Sequence, residues 1–270
     1  MMDYRHTTRK AFFLGDYIDR GPRVKESVDL IRAMVNAGTA KAIMGNHEFN
    51  ALCFHKPSES GGFVRPHSAK NIEQHQATLD AYADKDELAE ALDWMLTLPL
   101  YYEEEGFRAV HATWDPNYLS TFATMLDQDR LATHQIAEAN DKGSKLYEAV
   151  ENCLKGRELP LPEALYFETN GHRRKKLRVK WWMNYPGKTF EEISMQPDQH
   201  FGEVLYEGPD LSHYAATDKP VFFGHYWLQG VPELQTDNVC CLDYSVAKDG
   251  KLVAYRWDGE QVLKREKMVW

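Results

Sequence analysis

Four short apolar runs in this sequence each end in a residue able to bind a divalent cation: Phe12-Phe13-Leu14-Gly15-Asp16, Ile43-Met44-Gly45-Asn46-His47, Ala109-Val110-His111 and Val221-Phe222-Phe223-Gly224-His225. In α/β sheets the carboxyl ends of strands line the ligand crevice, so Asp16, Asn46, His111 and His225 can converge although they lie far apart in the chain. Carboxylate, amide and imidazole donors together suit manganese, iron or zinc rather than calcium or a thiolate-bound zinc. Gly15, Gly45 and Gly224 fit the same picture, since a chain turning sharply toward a cation gains from a position without Cβ.

The elements that must carry these residues follow from the hydrophobic pattern. Ala11-Phe12-Phe13-Leu14 reads as a buried strand, Val24, Val28, Ile31 and Val35 recur at helical spacing, and Gly38 stops that helix. A second strand, Ala40 to Met44, follows at the distance a parallel βαβ crossover needs. Residues 56–68, rich in Pro, Ser, Gly and His, read as a mobile surface loop. Two helical stretches come next, the second from Asp86 to Leu98 and ended by Pro99. Tyr101-Tyr102 and Arg108 to His111 form a predicted hairpin turning at Glu105-Gly106. Residues 115–160 read as a helical insertion or cap, Arg173 to Trp182 as strand-like, and 186–218 as irregular. Strands at Val221-Phe222-Phe223, Val239 to Leu242 and Leu252 to Tyr255 close an α/β fold of mixed sheets flanked by helices, organised as one domain over residues 1–270.

Bulk properties narrow the partners. A net charge of −9 repels polyanions, so general nucleic-acid binding is not expected. The four cysteines are few for 270 residues and two of them, Cys240 and Cys241, are adjacent, which suits a reducing cytoplasm. No apolar run approaches membrane-spanning length, and the first residues show no apolar signal core, so neither membrane insertion nor secretion is expected.

Gly15-Asp16-Tyr17-Ile18-Asp19-Arg20-Gly21 and Gly45-Asn46-His47-Glu48, at this spacing, resemble the second and third signature motifs of the calcineurin-like metallophosphoesterases. With His111 and Gly224-His225 as later motifs, the resemblance covers residues 10 to about 260. It is nearest to the bacterial branch akin to phosphoprotein phosphatases and symmetrical dinucleoside-tetraphosphate hydrolases. The resemblance implies a β-sandwich and metal-dependent hydrolysis of a phosphorylated protein, small molecule or nucleotide, with manganese the expected ion. By matching motif, Asp16 would bridge two cations and Asn46, His111 and His225 would complete the second cation's shell. His47 would protonate the leaving oxygen, Asp19 would hold its ring, and Arg20 would grip phosphate oxygens in a fork. Arg178 is a candidate second clamp, as relatives bring an arginine from this region.

One motif is missing. The family's Asp-x-His, on a first strand some tens of residues earlier, has no match: Asp3 and His6 have another spacing and no preceding apolar strand. The expectation is a chain whose first strand is absent, either through a late start or as a remnant of the fold without catalysis. Taken singly, each motif residue has an ordinary explanation: Asp19 as a helix cap, Arg20 on the surface, His111 or His225 as core histidines. Jointly, at strand ends, they favour a metal site. Arg173-Arg174-Lys175-Lys176 reads as the solvated face of a hairpin rather than a nucleotide patch beside Trp181 and Trp182, and His55, His67 and His75 as core, interface or loop residues.

Overall fold

A parallel β-α-β unit opens the fold in the computed structural model, which describes residues 8–163, 165–169, 172–196 and 200–270. Asp3 and His6 lie outside the described residues. Strand β1 (Ala11–Phe13) pairs with β2 (Ala40–Ala42) in the register Ala11 to Ala40, with helix α1 (Val24–Asn36) crossing between them. Val24, Val28 and Ile31 are the buried stripe of α1, as their spacing predicts. Gly38, at φ +69°, turns the chain out of that helix into β2.

Three helices follow, α2 (Asn46–His55), α3 (Ala69–Ala81) and α4 (Lys85–Leu96). The Ser68 and Asp84 side chains cap α3 and α4 by accepting from exposed first-turn amides. The predicted hairpin forms as β3 (Tyr101–Glu103) against β4 (Arg108–Val110). Helices α5 (Pro116–Met125), α6 (Ile136–Ala139) and α7 (Lys145–Lys155) occupy the segment expected to be helical. Leu146, Val150, Cys153 and Leu154 of α7 join the same apolar core as Val110 and Val221.

Downstream, β5 (Glu158–Pro160) pairs with β8 (Lys176–Arg178), β6 (Phe167–Thr169) with β7 (His172–Arg174), and the short α8 (Phe190–Ile193) packs over a second core of Leu159, Leu177, Val179, Tyr185 and Phe190. Trp181 and Trp182 are buried in the main core, 5.3 and 5.5 Å from the Phe223 ring, while Arg173 to Lys176 face solvent. The basic run is thus a solvated face, and the tryptophans are packing.

Strand β9 (Val221–Phe223) is buried at every residue, as befits a strand covered on both sides, and lies parallel to β4 and to β10 (Val239–Cys241). The four-stranded sheet runs β10-β9-β4-β3. The fold is therefore α/β with mixed sheets and helices. One expected strand is divided. Lys251–Leu252 pairs with Asp243–Tyr244, whereas Ala254–Tyr255 pairs with Met268–Val269, because Val253 between them turns into a third apolar cluster with Phe222 and Leu263. No helix among the described residues is long and apolar enough to cross a membrane.

Candidate metal centre

Parallel pairing of β4 with β9 delivers His111 and His225 to one sheet edge, and the Gly224 amide donating to the His111 carbonyl at 2.9 Å fixes their relative position. Their rings meet edge to face at 5.2 Å. The loops after β1 and β2 bring Asp16 and Asn46 to the same place. Asn46 Oδ1 lies 2.8 Å from His225 Nδ1 and 3.2 Å from His111 Nε2, and Asp16 Oδ1 lies 3.4 Å from His111 Nε2. All four predicted ligands are thus gathered, and Asp16, His111 and His225 offer ligand atoms within 4.8 Å of one another.

The two loops touch backbone to backbone. A Cβ on Gly15 would stand 2.5 Å from the Gly45 Cα, and one on Gly45 would overlap the Asp16 amide. Close approach is the reason for these two glycines. Gly224 corrects the expectation made for all three: its φ is not positive, and a Cβ there would meet nothing nearer than 3.8 Å. Asp16, Asp19 and His225 instead carry the strain themselves, at φ +63°, +67° and +71°, the left-handed region that side chains enter at a cost of about 1–3 kcal/mol.

The donor set fits a cation. His111 Nδ1 donates to the Leu14 carbonyl at 2.6 Å, which turns Nε2 toward two oxygens, Asn46 Oδ1 and Asp16 Oδ1. Burial lowers the His111 pKa, but the Asp16 charge outweighs it and holds the ring up to about 9, so a proton stands where a cation would. Burial opposes ionisation of Asp16 as well, yet His111, His47 and His225 pull it well below the usual carboxylate range. His225 goes the other way: burial, then the Arg178 and His111 charges, push it well below its ordinary value, into the neutral form that ligates. Its Nε2 is buried and has no hydrogen-bond partner. Its Nδ1 is the ring nitrogen that meets Asn46 Oδ1, at 2.8 Å, and in the neutral ring it offers a lone pair to a cation once its proton sits on Nε2.

His47 and Asp19, expected as acid and ring-holding residue, also lie side by side. His47 Nδ1 lies 2.7 Å from Asp19 Oδ2, leaving Nε2 to carry a transferable proton. Burial lowers the His47 pKa, but the Asp19 bond and the Asp16, Asp19 and Glu48 charges raise it overall. Asp19 is opposed by burial yet drawn down to about 2 by hydrogen bonds from His47 and His75. A depressed carboxyl contributes stability above its unfolded pKa and loses it as pH falls through the folded one. Asp19→Asn is accordingly expected to cost about 2 kcal/mol at neutral pH. The difference from the parent, followed by urea unfolding, should vanish between 3.8 and about 2; a gap that persists at the acid end would refute this account. Arg20 is exposed, its guanidinium 5.4 Å from the centre of the Trp227 ring. Arg178 is half-buried, 3.6 Å from Glu158, with its Nε buried and unpaired.

Two residues were missed in the sequence. Glu48 is fully buried and accepts from the amides of Gly45, Asp16 and Tyr17, tying the two loops together. His75, expected as a core, interface or loop residue, is buried as the first of these implies, but its contact with Asp19 Oδ1 at 2.6 Å was not foreseen. The one available signal was His75 and Thr78 three residues apart on a single helix face.

The family profile of the calcineurin-like phosphoesterases matches residues 3–146, more than half of the chain. The chain belongs to the calcineurin-like phosphoesterase family. That membership places it among the hydrolases of phosphoric esters. A curated protein of Methylobacillus flagellatus named "Bis(5'-nucleosyl)-tetraphosphatase, symmetrical" is 25% identical over 277 residues, covering 94% of this chain and 84% of its own. One of the same name from Vibrio parahaemolyticus is 23% identical over 272 residues, with 95% and 88% covered. Among solved structures, a mutant cold-active protein tyrosine phosphatase aligns with 90% of this chain at TM-score 0.39 and 17% identity. This chain spans 62% of that one.

Proposed function

We propose that this calcineurin-like phosphoesterase holds a divalent cation, manganese being the first to try, between Asp16, Asn46, His111 and His225 and hydrolyses a phosphate ester there. The gathering of Asp16, His111 and His225 ligand atoms within 4.8 Å of one another, with Asn46 Oδ1 within 3.2 Å of both imidazoles, carries this proposal. When bound, such a cation polarises a phosphoryl oxygen and lowers the pKa of a water near phosphorus. Arg20 offers a two-pronged grip on the remaining phosphate oxygens, with Arg178 as a second cation beside His225. His47 gives its Nε2 proton to the leaving oxygen as the P–O bond breaks, and Asp19 stabilises the imidazolium beforehand and orients its ring. Burial opposes protonation, but the bond to Asp19 and the surrounding carboxylate charges raise the His47 pKa, which favours the protonated ring a general acid needs. A cytoplasmic location agrees with the four buried free thiols.

Hydrolysis of p-nitrophenyl phosphate with and without manganese, and after chelation, tests the proposal. Activity should require the ion, and His47→Ala should lower it by about 10²–10⁴-fold. Absent turnover would identify a protein that kept this fold without its catalysis, and metal-dependent turnover equal in the variant would remove His47 as the general acid. Relatives named for dinucleoside tetraphosphate hydrolysis along nearly the whole chain favour a second assignment, a dinucleoside polyphosphate substrate. Products separate the two: inorganic phosphate from a monoester, paired nucleoside diphosphates from a symmetrical dinucleotide.

A further inference from the structure

Asp19 is held by more than His47. Its Oδ1 accepts from His75 Nδ1 and from Thr78 Oγ1, each at 2.6 Å, and the same Thr78 oxygen accepts the Asp19 amide at 2.9 Å. Asp19, His75 and Thr78 are all buried. With two donors on Oδ1, the carboxylate no longer turns freely about its broad terminal torsion, and Oδ2 is left facing His47 Nδ1. Thr78 also secures the strained backbone of Asp19 at φ +67°.

His75 has its own support. Its Nε2 lies 3.0 Å from His55 Nε2, a contact that needs one donor and one acceptor. Burial, then His75 and His67, hold His55 down to about 4, so His55 is neutral at pH 7 and can donate Nε2–H. With His55 as the donor in that contact, His75 accepts at Nε2 and donates from Nδ1 to Asp19.

We propose that helix α3, through His75 and Thr78, clamps Asp19 in the orientation that aims His47 at the leaving oxygen, which makes His75 a positioning residue for proton transfer. This inference rests on His47 acting as the general acid. Its consequence is substrate-dependent: the clamp matters more as the leaving oxygen becomes more basic and needs the proton more.

The experiment compares the full-length parent, His47→Ala, His75→Phe and His75→Asn on p-nitrophenyl phosphate and on phenyl phosphate, whose leaving oxygen is more basic. His75→Phe should lose about 10-fold in kcat on the first and up to about 100-fold on the second, with KM within about twofold. His75→Asn, whose amide can replace the Nδ1 donor, should recover most of the loss. Equal losses on both substrates, or no difference between Phe and Asn, would leave His75 a merely structural residue and overturn the clamp. His47→Ala separates the two levels: if it too shows no leaving-group dependence, the general-acid assignment fails and the clamp with it; if it shows one and His75→Phe does not, only the clamp falls. Should His75→Phe not fold, Thr78→Val removes the other Oδ1 donor at similar size and carries the same expectation. Nitrogen NMR of the metal-free protein gives a readout independent of turnover, in which the Nδ1–H tautomer of His75 is expected and the Nε2–H tautomer would refute the arrangement.

Discussion

Asp16→Asn is expected to abolish divalent-cation binding and to lower hydrolysis by at least about 10³-fold. The donors Asn46 and His225 are neutral, and His111 must shed a proton to ligate, so Asp16 supplies the one formal negative charge in the donor cluster. Losing the several kcal/mol of charge stabilisation a bound cation provides, at 1.36 kcal/mol per tenfold, gives about that factor. The fold should survive, because the Asn Oδ1 can still accept the His47 amide that Asp16 Oδ1 accepts at 3.1 Å. Titration calorimetry with manganese checks the binding, and phosphate release checks the turnover. A third readout needs no cation: without the Asp16 charge, the His111 pKa should fall from about 9 toward the ordinary histidine value of 6.5. If it stays near 9, something other than Asp16 holds that proton, and the proposed donor set is wrong.

The parts of this site legible in the sequence are those that the backbone dictates. Parallel strands packed into a core read as continuous apolar runs, so Phe12-Phe13 and Val221-Phe222-Phe223 were recognisable, although the first, expected to be buried, is only half-buried because it pairs with β2 alone; the residue at each strand's carboxyl end had to emerge at the sheet edge. Glycine at 15 and 45 marked sharp turns toward a cation, although the sequence did not say that the two glycines approach each other. What stayed hidden depends on contacts between distant residues. Asp19 and His75 are 56 positions apart, and a histidine on a mostly polar helix carries no mark of the carboxylate it faces. The strand expected at Leu252 to Tyr255 failed for a related reason: a continuous apolar run does not show that its two halves have different partners. Local pattern defined the elements, while tertiary partners decided which polar residues serve the site.

Glu48 shows how far that dependence goes, and Glu48→Ala is expected to be the most destabilising substitution at the site. Its carboxylate accepts the Gly45 and Asp16 amides at 2.8 Å and the Tyr17 amide at 2.7 Å. Burial and the Asp16 charge push the Glu48 carboxyl above its ordinary value, so ionisation by itself is no source of stability here; the three hydrogen bonds are. Alanine would leave three amides at the buried loop contact without an acceptor, at about 1–3 kcal/mol each, against a total stability of about 5–15 kcal/mol for a protein of ordinary stability. A loss of at least about 3 kcal/mol should appear in urea unfolding as a lower midpoint with an unchanged slope. Glu48→Gln keeps one acceptor oxygen and most of the volume, so it should fall between the parent and Glu48→Ala. A change below about 1 kcal/mol in the alanine variant would mean that the amides find other partners. Because those amides belong to the loops presenting Asp16 and Asn46, whatever fraction of Glu48→Ala remains folded should also bind manganese more weakly than the parent. With its carboxylate taken up by three amides, the glutamate closing the Gly45-Asn46-His47-Glu48 motif supports the donor loops, and unweakened binding in the folded fraction would refute that support.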